Sequence, residues 1–148
     1  MIRPLICLVF LWLASVTVRA EIINIDNAEL AQLTAKGVPL IDIRTAGEWR
    51  DTGVIPGSRL LTFFDPSGHA NPSQWLEHAR SVARPDTPVI LICRSGNRTQ
   101  AVARYLSEQA GYKKVYNVTH GIGAWSRAGR PMVPPTSLQA VCAPGARC

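Results

Sequence analysis

The stretch Pro88-Val89-Ile90-Leu91-Ile92-Cys93-Arg94-Ser95-Gly96-Asn97-Arg98-Thr99 decides the fold. Pro88 to Ile92 is a short apolar, β-branched run closed by a cysteine, which predicts a strand buried on both faces. From Thr99 the pattern changes. Ala101, Val102, Tyr105, Leu106 and Ala110 fall on one side of a helical repeat, so a helix is expected to follow. Between the two lies a tight loop with Cys93 at its root. Successive backbone N–H groups feeding a helix N-terminus make a concave, electropositive nest. A cysteine at the rim of such a nest has a lowered pKa and is partly thiolate, its nucleophilic form. Gly96 permits the backbone angles the loop needs. Arg94 and Arg98 add fixed positive charge suited to an oxyanion. The expectation is a nucleophilic thiolate facing an anion.

A buried structural cysteine before an ordinary turn is the plainer alternative, because free Cys packs as a small hydrophobe. Two arginines and a glycine in the next five positions argue against it. Phosphoryl transfer and sulfur transfer both use a cysteine in such a cradle. A cysteine phosphatase loop places its arginine six residues after the cysteine, where this chain has Thr99; Arg98 stands at the fifth position. The cradle is one residue short for phosphate.

Cys93 to Thr99 instead closely resembles the active loop of rhodaneses, single-domain sulfurtransferases whose cysteine carries a persulfide. The resemblance implies Cys93 as the catalytic residue, with Arg94, Ser95, Gly96, Asn97, Arg98 and Thr99 binding the substrate. It implies a small anionic donor such as thiosulfate, and cyanide or a thiol as acceptor, with no cofactor and no metal. Two rivals stand beside it: a thiol–disulfide oxidoreductase pairing Cys93 with tail cysteines, and a non-catalytic binding module on the same fold.

The flanks broaden the resemblance, which covers Ile22 to Pro131. Ile41-Asp42-Ile43-Arg44, Glu48-Trp49 and Gly53-Val54-Ile55-Pro56-Gly57-Ser58 resemble the family's strand end, acidic–aromatic pair and turn. Val54 stands where the family commonly has histidine, so any role of that histidine is absent. Asp42, Arg44 and Glu48 read as a structural network outside the cysteine loop. His120-Gly121-Ile122-Gly123-Ala124-Trp125 resembles the closing signature, with His120 replacing a glycine. His120 is left outside the site, as are the lone His69 and His78, which form no zinc motif.

The alternation of strands and helices predicts an α/β fold: about five parallel strands, helices on both faces, and the site at the strands' C-terminal edge. Strands are expected at 21–25, 38–43, 59–63, 88–92 and 115–118. Helices are expected after Asp26, whose spacing to Glu29 suits a capping box, after Asn71-Pro72, and through Trp125. Phe63, Phe64 and Asp65 are read either as a wall of the site's mouth or as core.

Residues 1–20 are expected to be a secretory signal peptide, with Arg3 as its positive start, Leu5 to Leu13 as its apolar stretch and cleavage after Ala20. A periplasmic or secreted location follows, with no stable membrane insertion after cleavage. Loss of Arg3 and Arg19 lowers the net charge from +6 to +4. The basic residues are scattered without interleaved aromatics, which argues against nucleic acid. Residues 21–131 are expected to form the domain and 132–148 a loose, proline-rich tail with a Cys142–Cys148 disulfide.

Overall fold

A computed structural model describes residues 20–135. Cys142 and Cys148 of the tail, and all of the proposed signal except Ala20, lie outside the described residues. Five parallel strands form one sheet in the order β1-β5-β4-β2-β3: β1 (Glu21–Ile25), β2 (Leu40–Asp42), β3 (Arg59–Leu60), β4 (Val89–Ile92) and β5 (Lys114–Val118). Five helices connect or follow them: α1 (Asn27–Ala35), α2 (Ala46–Thr52), α3 (Pro72–Val82), α4 (Asn97–Glu108) and α5 (Gly121–Arg127). Among the described residues no helix is long and apolar enough to cross a membrane.

Central β4 follows from its composition. All four residues, Val-Ile-Leu-Ile, are buried, and their side chains alternate between two cores. Val89 and Leu91 join Trp75 and Ala79 of α3 and Val102 and Leu106 of α4. Ile90 and Ile92 join Leu30 of α1 and Ile122 and Trp125 of α5. Helices therefore cover both faces, as the alternation predicts, and the C-terminal end of β4 opens at the middle of one sheet edge.

Local signals set most helix starts. Asp26 caps α1 through the Ala28 and Glu29 N–H groups, and Glu29 returns a bond to the Asp26 N–H. Asn71 caps α3, with Pro72 in the first turn. Two expectations change. The buried face of α4 runs through Thr99, Val102, Ala103 and Leu106, and Ala101 is exposed, so the stripe lies slightly round from where the sequence placed it. The third strand is regular only over Arg59–Leu60, although Leu61 and Phe63 still donate to the Asp42 and Ile43 carbonyls. The packed chain also continues past Pro131: Val54 and Val133 exchange both backbone hydrogen bonds at 2.9 Å.

Candidate active site

The β4 chain turns at Cys93, and two backbone clamps shape the loop that follows. Gly96 has φ +93°, the left-handed conformation, and precedes α4 with no side-chain cap. A Cβ there would collide with the Thr119 carbonyl oxygen at the end of β5. From the other side, the start of α5 holds the loop: Ile122 N–H donates to the Cys93 carbonyl at 2.8 Å and Gly123 N–H to the Arg94 carbonyl at 3.2 Å. Glycine at 96 and 121 lets three segments approach backbone to backbone.

Inside this clamp Cys93 is 0 % exposed. Its Sγ accepts a hydrogen bond from Gly96 N–H at 3.2 Å and lies 3.5 Å from Thr99 Oγ1. Burial pushes the thiol's pKa up. The Thr99 hydroxyl and the backbone N–H groups of Thr99, Ser95 and Gly96 outweigh it, and the net pKa lies below its ordinary value. The expected nest is thus present. Thr99, also fully buried, donates to the Gly96 carbonyl at 2.9 Å, so its hydroxyl can turn from that carbonyl to the sulfur as the thiol ionises. Thr99→Val removes this donor and is expected to raise the Cys93 pKa. A thiolate titration read by ultraviolet absorbance would show its midpoint displaced to higher pH, and an unchanged midpoint would assign the lowering to the backbone alone.

The two loop arginines have different settings. Arg94 is exposed and makes no side-chain hydrogen bond or ion pair with a described residue. Arg98 is held by Glu48, with Nη2 to Oε1 at 2.6 Å and Nη1 to Oε2 at 2.9 Å, a bidentate pair. Glu48 is lowered to about 2, first by Arg98 and against the effect of burial, so its carboxylate stays charged. Glu48 also closes the N-terminus of α2: it accepts from Thr45 N–H at 3.0 Å, while Thr45 Oγ1 accepts from the Glu48 N–H. One carboxylate thus ties α2 to the first turn of α4. Sequence reading left Glu48 among structural residues, and it in fact reaches the loop. The available signal was the Thr45-to-Glu48 capping-box spacing, which announces α2 but not its distant partner.

Asp42 and Arg44 do form a buried network. Arg44 Nη2 and Nε bond the Asp42 carboxylate at 2.7 and 3.0 Å, and the guanidinium also reaches Thr52 Oγ1 at 2.7 Å and the Gly53 carbonyl at 2.9 Å. Beyond the loop a cavity of about 440 Å³ opens, bounded by Arg94, Ser95 and Arg98, by Thr45 and Glu48, and by Asp65 and Pro66. Phe63 is core, edge-on to Phe64 and Trp75, so only Asp65 of the proposed wall borders the mouth. Asn97 is exposed at the start of α4. His120 lines a separate cavity with Asp26 and Arg130. Among the described residues no group of three or more His, Cys, Asp or Glu side chains is placed to hold a metal ion.

A family model, the rhodanese-like domain, matches residues 26–128. The chain belongs to the rhodanese-like family. A protein of Allochromatium vinosum named sulfurtransferase is 37 % identical over 114 residues, covering 76 % of this chain and 95 % of that one. Thiosulfate sulfurtransferase GlpE of Shewanella oneidensis is 33 % identical, covering 68 % of this chain and 88 % of its own. The solved structure of Rv0390 from M. tuberculosis superposes with a TM-score of 0.65 at 25 % identity, covering 78 % of this chain and 98 % of that one. The rhodanese-like sheet places Cys93 at the C-terminal end of its central strand.

Proposed function

We propose that this rhodanese-like protein is a sulfurtransferase that carries sulfane sulfur on Cys93 and takes it from a small anionic donor such as thiosulfate. The observation that carries the reading is the Cys93 sulfur, facing backbone N–H groups that favour its charged form. The names of its relatives point the same way.

The Cys93 thiolate attacks the outer sulfur of thiosulfate. A new S–S bond forms to Cys93, the bond to the sulfonate sulfur breaks, and that bond's electron pair leaves with sulfite. The persulfide retains one negative charge, stabilised by the same N–H groups as an oxyanion hole stabilises oxygen. In the second half, cyanide attacks the outer sulfur and departs as thiocyanate, returning the electron pair to Cys93; a thiol acceptor departs as its own persulfide. Because Arg98 is committed to Glu48, Arg94 is the guanidinium at the mouth without a partner among the described residues, and it takes the larger share in orienting the donor's oxyanion. Initial rates against both substrates test the reading: parallel lines in double-reciprocal form are expected, and intersecting lines would contradict a persulfide that outlives sulfite release.

Residues 1–20 are proposed as an export signal on the strength of their Arg3, apolar and Val18-Arg19-Ala20 pattern. N-terminal sequencing of the exported protein should begin at Glu21.

A further inference from the structure

We propose that a groove beside the cradle is the acceptor subsite, and that it selects a small zwitterionic aminothiol, its carboxylate on Arg94 and its ammonium on Asp51. The proposal rests on the sulfur-transfer reading and names the acceptor for that same thiolate. The groove encloses about 380 Å³, within the range of roughly 300 to 1,000 Å³ that small-molecule sites occupy. Arg94 and Glu48 line both this groove and the mouth over the loop, so the two cavities share a wall beside the Cys93 loop.

The charges in the groove are unequal in availability. Arg44 is bound to Asp42, and Glu48 to Arg98. Two charged groups remain without partners among the described residues, Arg94 and Asp51. Asp51 lies three residues after Glu48, on the same side of α2. The two line one cavity yet form no ion pair with each other, which leaves space for a ligand carrying both complementary charges. Ile122 and Met132 give that ligand an apolar wall. The α5 side of the groove is fixed to the backbone of the cysteine loop, through the bonds from Ile122 and Gly123 to the Cys93 and Arg94 carbonyls.

A free amino-acid thiol such as cysteine has the required ammonium and carboxylate. A cysteine inside a protein chain has neither, and cyanide has neither. The acceptor thiol attacks the outer sulfur of the Cys93 persulfide; the new S–S bond forms as the old one breaks, Cys93 regains its electron pair as thiolate, and the thiol's proton ends on the product persulfide. Sulfite leaves before the acceptor arrives, so Arg94 serves donor and acceptor in turn.

The test pairs binding with turnover in the full chain. S-methyl-L-cysteine, which cannot accept sulfur, should bind the Cys93→Ser protein saturably and shift the Ile122 and Gly123 amide resonances. Asp51→Asn should weaken that binding and raise the KM for L-cysteine about fivefold, the scale of an exposed charge contact. The same substitution should leave the kinetics with cyanide and the KM for thiosulfate unchanged. N-acetyl-L-cysteinamide, lacking both charges, should be a poorer acceptor than cysteine at equal thiolate concentration. Equal use of the two thiols, or a KM for cysteine indifferent to Asp51→Asn, would overturn the subsite while leaving sulfur loading of Cys93 intact. Failure of Cys93 to load sulfur at all would instead overturn the sulfur-transfer reading, and the acceptor assignment with it.

Discussion

Gly121→Ala is expected to cost about 3 kcal/mol of stability or more and to abolish sulfur loading, although residue 121 bears no functional side chain. A Cβ at this position would collide with the Cys93 carbonyl oxygen and lie 2.6 Å from the Arg94 carbonyl oxygen. Both partners are backbone, so neither can swing aside. Relief requires α5 to move off the loop, which breaks the Ile122 and Gly123 bonds and distorts the nest around the sulfur. Gly111→Ala is the matched control: Gly111 also has a left-handed φ, +77°, but among the described residues no atom beyond its chain neighbours stands within 4 Å of an added Cβ. It is expected to show only the backbone strain, about 1 kcal/mol. Urea unfolding of the two variants separates collision from strain, and equal losses would contradict the clamp.

Asp42→Ala is expected to destabilise the protein by about 3–5 kcal/mol, because it leaves the Arg44 guanidinium buried without its anion. Arg44 and Asp42 are 1 % and 0 % exposed, so the pair is shielded from bulk water in the intact fold. The effect should spread to the site. Arg44 grips the C-terminal end of α2 through Thr52 and Gly53, and α2 carries the Glu48 that holds Arg98. Activity per folded molecule should therefore fall as well as the urea midpoint. Replacing both partners with apolar residues, Asp42→Leu with Arg44→Met, should recover much of the stability. A loss below about 1 kcal/mol for Asp42→Ala, the range of exposed pairs, would show that water reaches the pair after all.

The sheet and the cysteine loop were legible because their signals are local. An unbroken apolar run can be satisfied only by burial on two faces, and the nest is written in consecutive residues from Cys93 to Thr99. The partners of that loop were not legible. Arg98 meets Glu48 across fifty positions of chain, and nothing near either residue encodes the meeting. Helix α2 escaped notice because it has seven residues and buries a single side chain, Trp49, too few for a periodic stripe. It persists through its capping box and the Arg44 bonds to its far end. The two-residue β3 was overdrawn for a related reason: Leu61 and Phe63 keep single bonds to β2's end without regular pairing, and β-propensity alone does not distinguish the two cases.

Intact-protein mass, recorded for the reduced chain before and after thiosulfate with Cys93→Ser in parallel, tests the central claim most directly. The account predicts a gain of one sulfur atom in the parent protein, reversed by cyanide and absent from the variant. No gain while Cys93 is shown to be a free thiol, or an equal gain in Cys93→Ser, would contradict it.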